Sequence, residues 1–432
     1  MKELNFFRIK NLHQAINTNL TFNQNTLILL GENGSCKTTI LKMLYYTLSQ
    51  QWKKLVKLDF EEIEIGIDNE IIKINKEELN NFLNYEEKTN NLNHLIKRII
   101  LSSGSSNSLE RHTRMKDMSN YLRKNQHLNQ KNNFKNIKKI KEILDDINVV
   151  YLPTYRRIEQ ELEAIYEEND DLRKKYLHLK RFDQDQKYQE LVKFGMQDVD
   201  DAIHSTLLEL KEYSRSNLNK LTLEYLNDVV GKDYTTVDAK LIKTIDDETI
   251  QKVMNRVDDD ILSQNLKLML LDALKDIRDR DRLEDYEKVV GHYFLKLFNV
   301  FNKIELNEEK IKKFAFVCNK YLENKYMHYD NLNYDFKINL KQKNQSIDLA
   351  KLSSGEKQIV SIFSFLYLSN KKNYIVLIDE PELSLSVKWQ KLFLEDIKNS
   401  LSCMGLIAVT HSPFIFDNSL DKFAHGIGEF VQ

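Results

Sequence analysis

Residues 31–39 read GENGSCKTT and follow directly on the apolar run LILL at 27–30. The spacing is that of a P-loop, G-x-x-x-x-G-K-[ST], in which backbone N–H groups and the N-terminus of the next helix hold phosphate anions. In this reading Gly31, Asn33, Gly34, Ser35, Cys36, Lys37, Thr38 and Thr39 cradle the nucleotide. Lys37 reaches the β- and γ-phosphates and the Thr38 hydroxyl binds Mg²⁺, so the cofactors implied are ATP and Mg²⁺. One position departs from the pattern: Cys36 stands where the second glycine belongs. A side chain there crowds the phosphates or strains the loop by roughly 1–3 kcal/mol. The plainer alternative is a glycine-containing strand-to-helix turn with a lysine on the helix face.

Three further groups suit the same chemistry. In YIVLIDEPELSLS at 374–386, an apolar run ends on Asp379 and Glu380. Asp379 suits Mg²⁺, through water, and Glu380 suits a general base that polarises the attacking water. LSSGEKQ at 352–358 sets Ser354, Gly355 and Glu356 where a helix begins, which makes a second anion cradle. Read alone, that string is equally a capping sequence with Ser353 or Ser354 at the N-cap. Finally, GLIAVTHSP at 405–413 carries His411 at the end of another apolar run, in position to touch a γ-phosphate. Lys37, Glu380 and His411 are therefore the catalytic candidates, and Thr38 and Asp379 the metal ligands.

These residues need strands that end at one edge. Residues 4–9 and 20–30 read as strands, and 37–50 as the helix after the loop. Residues 58–74 alternate on either side of Asp68-Asn69, as a half-exposed antiparallel hairpin does. A strand over 147–152, a helix over 354–369, a strand over 374–379, a helix over 387–400 and a strand over 405–410 complete an alternating α/β pattern. The chain has three prolines, Pro153, Pro381 and Pro413, each just after one of these apolar runs. Loops at strand C-termini are where open α/β sheets place ligands.

Between the two halves lie 157–330, expected almost wholly helical because glycine is scarce, proline is absent and apolar residues recur every three or four positions. Sustained heptads for a long coiled coil are missing. Residues 334–340 and 345–350 read as a short hairpin. The expected divisions are 1–87, 88–146, 147–156, 157–333 and 334–432. The stretch 88–141 holds thirteen Lys or Arg against Glu110 and Asp117. It reads either as a solvated flexible loop or as a surface for a nucleic-acid backbone.

Composition narrows the class. With 432 residues, 41% hydrophobic and 30% charged, and a net charge of -1, the chain has the make-up of an ordinary soluble protein and not of a globally basic nucleic-acid binder. Cys36, Cys318 and Cys403 are far apart and form no CxxC pair, which fits a reducing, cytoplasmic setting. No window approaches 18 apolar residues, so no membrane partner is expected.

Taken in order, GENGSCKTT, LSSGEKQ, the strand ending Asp379-Glu380 and His411 resemble the Walker A, signature, Walker B and switch-histidine motifs of ABC-type ATPases. That resemblance implies an α/β nucleotide-binding core, a mixed sheet flanked by helices with an antiparallel β-subdomain, here split by a mostly helical insertion. In that family the signature loop of one subunit closes over ATP on the other. One copy of each motif per chain thus implies a homodimer or larger even oligomer.

The strings DEPELSLSVKWQ, VTHSPFIF and YLPTYRRIE are similar to those of OLD-like, AAA-type antiphage-defence ATPases without a nuclease domain, in particular the PtuA-type ATPases of Septu and retron systems. The resemblance covers about 1–60, 147–162 and 345–420. It implies a regulator of a separately encoded HNH-type nuclease, and in retron systems also a reverse transcriptase with its RNA–DNA. Arg156 and Arg157 suit phosphate or partner contacts and equally a salt bridge on their own helix. A repair ATPase of SMC or RecF type and a nucleotide-binding scaffold that does not hydrolyse are the rival readings.

Overall fold

The computed structural model describes residues 2–32, 34–102, 134–145, 147–153, 188–190, 196–237, 239–257, 262–279, 283–343, 345–383 and 385–431. Packing divides the chain into two units, Met1–Lys193 with Lys371–Gln432, and Phe194–Asn370.

The first unit opens with β1 (Leu4–Leu12) and β2 (Ile16–Thr21), an antiparallel pair. The stretch expected as one strand over 20–30 is broken. Gln24 and Asn25 turn the chain in left-handed backbone, and the Asn25 carboxamide accepts from Leu4 N at 2.6 Å before β3 (Thr26–Leu30) begins. Next come α1 (Lys37–Leu48), the short α2 (Trp52–Leu55) and the hairpin β4 (Glu62–Ile67) and β5 (Glu70–Asn75). The antiparallel sheet has the order β2-β1-β4-β5. β2 and β5 alternate in burial, as strands with one wet face must, whereas β4 is buried along most of its length.

From β5 the chain enters α3 (Lys76–Ser102) and resumes with α4 (Lys135–Ile143). The basic stretch expected as a loose insertion therefore begins and ends in helix. Ile137 and Ile140 of α4 are buried, and Asn136 donates to Lys73 O at 2.8 Å, so α4 is tied to edge strand β5. Residues 103–133 lie outside the described residues, as do Arg156 and Arg157. β6 (Asn148–Leu152) and β7 (Tyr188–Glu190) follow, the latter a strand inside a stretch expected to be helical.

The second unit holds α5 (Met196–Gly231), α6 (Ala239–Lys243), α7 (Asp247–Asn255), α8 (Gln264–Asp279) and α9 (Asp285–Asn319). Leu221, Ile250, Met254, Leu274, Phe294, Leu297 and Phe301 join in its apolar core. β8 (Lys325–Asp330), β9 (Asp335–Leu340) and β10 (Ser346–Ile347) form an antiparallel sheet, so the expected hairpin gains a strand at 325–330 where helix was expected. Helix α10 (Ser354–Leu368) packs on α9 and α5, with Tyr321 and Phe363 rings 5.7 Å apart. That packing is why the division falls after Asn370 and not at 333/334.

The chain then returns to the first unit with β11 (Tyr374–Asp379), α11 (Val387–Lys398), β12 (Cys403–Thr410) and β13 (Ala424–Gly426). These complete a parallel sheet of order β13-β3-β12-β11-β6-β7, built from both halves of the sequence. Its inner strands are continuous apolar runs because both faces are covered. Leu27, Leu29, Val149, Tyr151, Ile375, Leu377, Ile407 and Val409 face one core with α1 and the antiparallel sheet, while α11 packs on β12. At roughly 25 cal/mol per Å², this two-sided burial is what holds the strand ends in place. No helix among the described residues is long and apolar enough to cross a membrane.

Candidate functional site

Register brings the candidate residues together. Leu30 of β3 pairs with Thr410 of β12, Val409 with Asp379 of β11, and Ile378 with Leu152 of β6. The P-loop, Glu380-Pro381, Pro153 and His411 therefore leave the sheet at one edge, the carboxyl ends of parallel strands.

Each chemical group has a local cause. Gly31 is glycine because Ile427 sits against it: a Cβ there would lie 2.7 Å from Ile427 Cγ2. Gly34 has φ +84° with open space around it, a turn only glycine adopts without strain. Cys36 has φ 59° and ψ 11°, the left-handed conformation that the motif's glycine would supply. Its thiol lies 3.9 Å from Gly34 O, so the departure noted in the sequence is taken up as backbone strain at the start of α1. Helix α1 carries no side-chain cap, whereas α10 and α11 are capped by Ser353 and Ser386. Its first-turn N–H groups, with the positive end of the helix dipole, are directed at the loop.

Lys37 is nearly buried and folded onto this loop. Its ammonium donates to Gly31 O at 2.7 Å, Glu32 O at 2.8 Å and Ser35 Oγ at 3.1 Å. Burial lowers its pKa, against the opposing pull of the Glu380, Asp379 and Glu382 carboxylates. Thr38 Oγ1 donates to Asp379 Oδ1 at 3.0 Å across 341 residues of sequence. Both are hard oxygens of the kind Mg²⁺ prefers, and the hydrogen bond between them suits a site in which Thr38 would bind the ion and Asp379 would hold it through water. The residues present thus fit Mg²⁺ held partly by protein and partly by phosphate and water. Among the described residues no group of three or more His, Cys, Asp or Glu is arranged to hold a metal alone. Thr39 follows within α1, and Asn33 lies outside the described residues.

Glu380 also has positive φ, 53°, while its N–H donates to Val409 O at 2.8 Å. The twist turns the chain out of β11 at the general-base candidate. His411 Nε2 lies 3.9 Å from Glu380 Oε1. Sequence reasoning passed over Glu382, whose carboxylate accepts from Thr410 Oγ1 and from His411 N, both at 2.7 Å. Its only sequence signal is a second acid two positions after Glu380.

Ser354, Gly355 and Glu356 lie in the other unit. Ser353, not Ser354, is the N-cap of α10, so Ser354 and Gly355 are its first two residues, whose N–H groups have no acceptor within the helix. Glu356 is not open to a ligand in the way its place in the motif suggests. It accepts from Ser353 N at 2.7 Å in a capping box and pairs with Lys325 Nζ at 2.7 Å. Burial pushes its pKa up, but the Lys325 ammonium and the Ser353 contacts outweigh burial and hold it below the usual carboxylate range. Lys325, which the sequence reading also passed over, neutralises a charge that would otherwise repel an anion at this helix end.

No curated protein matches the chain. Among solved structures it is similar to the Smc head domain with an extended coiled coil bound to the C-terminal domain of ScpA from Pyrococcus furiosus, at 12% identity and a TM-score of 0.35, covering 96% of this chain and 91% of that one. It is likewise similar to the Smc head domain with a coiled coil and joint from Pyrococcus yayanosii, at 14% identity and a TM-score of 0.32, covering 96% and 93%. Likenesses this distant carry no residue role to the present chain. The profile of the AAA ATPase domain, by contrast, matches residues 1–416. The chain therefore belongs to the AAA ATPase domain family.

Proposed function

We propose that this chain binds and hydrolyses MgATP at the carboxyl edge of its parallel sheet, and that two copies must come together to complete each site. The observation that carries the first part is the meeting of Lys37, Thr38, Asp379, Glu380 and His411, drawn from distant parts of the sequence, at one strand edge. Backbone N–H groups of 34–38 and Lys37 hold the phosphates, Lys37 exchanging some of its loop contacts for phosphate oxygens. Thr38 would bind the metal and Asp379 would hold it through water, and the ion would supply neutralisation of phosphate charge. Glu380 accepts a proton from the attacking water, and His411, beside it, donates to the γ-phosphate. The first turn of α10 supplies N–H donors, at Ser354 and Gly355, to the nucleotide on a second copy.

The resemblance to antiphage ATPases extends this reading: nucleotide state governs a separately encoded HNH-type nuclease. Co-expression with an HNH-type nuclease of the Septu kind, followed by co-purification with and without ATP, tests that extension; no association in either state would remove it. The core reading is tested by phosphate release and nucleotide binding. Lys37→Ala is expected to lose binding, whereas Glu380→Gln retains binding and loses turnover by roughly 10²–10⁴-fold, the usual worth of a general base. Unchanged turnover in Glu380→Gln would sink the assignment.

A further inference from the structure

Both carboxylate oxygens of Glu382 are spent on the turn that carries His411. Oε2 accepts from Thr410 Oγ1 at 2.7 Å and Oε1 accepts from His411 N at 2.7 Å. Thr410, fully buried, in turn accepts from Ser412 N at 3.0 Å. Ser412 Oγ donates to Gln390 Oε1 at 2.7 Å. The Gln390 amide nitrogen closes the ring by donating to Leu385 O at 3.0 Å and, more weakly, to Glu382 O at 3.4 Å. The loop after β11 and the loop after β12 are thereby locked to one another.

A charged carboxylate accepting from a backbone N–H and a hydroxyl makes two charge-assisted bonds, roughly twice as strong as neutral ones. Among the described residues the backbone after β12 has no ladder partner past Thr410, so these bonds set where His411 begins. Resting on the proposed hydrolysis, we propose that Glu382 is a positioning residue: its carboxylate clamps the Thr410–Ser412 turn and so fixes the His411 imidazole beside Glu380. In this role Glu382 takes no proton and acts on the nucleotide only through His411.

Steady-state turnover of full-length variants tests this. Glu382→Ala is expected to lower kcat roughly 10- to 100-fold, the cost of a displacement of about 1 Å at a reacting group, and to leave KM for ATP within about twofold. Glu382→Gln retains an acceptor for His411 N and recovers most of the loss. The double variant Glu382→Ala with His411→Ala is expected to match His411→Ala alone, because a residue acting only through the histidine has nothing left to position. A multiplicative drop, or a wild-type kcat in Glu382→Ala, would overturn the clamp. Should Glu382→Ala not fold, Thr410→Val, which removes one leg at constant shape, is read instead: a fall of several-fold supports the clamp and no fall refutes it. Should the unaltered chain release no phosphate, hydrolysis itself has failed and the clamp is judged by amide hydrogen exchange. Faster exchange at His411 in Glu382→Ala, with Leu377 unchanged, upholds it; unchanged exchange at His411 ends it.

Discussion

Cys36 and Glu380 are two L-residues in left-handed backbone, at φ 59° and 53°, on two loops at the carboxyl edge of the parallel sheet. Such conformations cost about 1–2 kcal/mol each and persist only where the surroundings impose them. For Cys36 the strain was legible, because a P-loop glycine is the residue being replaced. For Glu380 it was not, since nothing about a glutamate after an apolar run announces its φ. Cys36 also packs against the apolar core. Replacing it by glycine therefore relieves strain while losing contacts and loosening the unfolded chain, and thermal unfolding is expected to shift by less than about 1 kcal/mol. Cys36→Val should destabilise by about 1–2 kcal/mol more, because a β-branched side chain is poorest in this region. A Cys36→Val protein as stable as Cys36→Gly would mean that the loop adopts another conformation. Glu382 escaped the sequence reading for a different reason: its partners are 28 and 29 residues away and meet it only through the β11–β12 register.

At the scale of elements, strands 374–379 and 147–152 and helix 354–369 were legible to within a residue or two, since buried parallel strands and an apolar helix leave strong patterns. Strand 325–330 was not: KYMHYD is polar and follows a long helix, and it becomes a strand by pairing with 335–340. That strand carries Lys325 to Glu356, so the start of α10 depends on an element the sequence concealed. Because the folded pKa of Glu356 is depressed, its stabilising contribution is fully present above the unfolded value of 4.5 and is lost as pH falls through the lower folded value. Lys325→Met is expected to cost about 1–3 kcal/mol at neutral pH and to flatten the loss of stability below pH 4.5. Unfolding temperatures measured between pH 3 and pH 7 check this; parallel curves for both proteins would show that Glu356 is held by the capping box alone. A deeper cluster in the same unit, buried Glu308 with Arg256, Lys312 and Tyr329, gives a second test. Glu308→Ala should destabilise by about 3–5 kcal/mol, since it strands a buried guanidinium, as chemical denaturation would register.

At the scale of the whole molecule, the sequence order P-loop, signature-like helix, acidic strand end and histidine is distributed over two units. The first, third and fourth share one sheet edge, and the second sits with the long helices. The split core was legible because apolar strands appear on both sides of a helical stretch. The division after Asn370 was not, since α10 looks like part of the returning α/β pattern until its packing on α9 is seen. The proposed head-to-tail pairing, with each nucleotide between the P-loop of one copy and the Ser354 end of another, makes a sharp demand on mixtures. Lys37→Ala and Ser354→Arg should each be inactive alone. Mixed in equal amounts with free exchange of subunits, about half the dimers pair unlike chains, and each of these has one intact site of two, so phosphate release should return to about a quarter of the wild-type rate. A mixture as inactive as its components, or a Ser354→Arg chain that hydrolyses ATP unaided, would mean that each copy works alone.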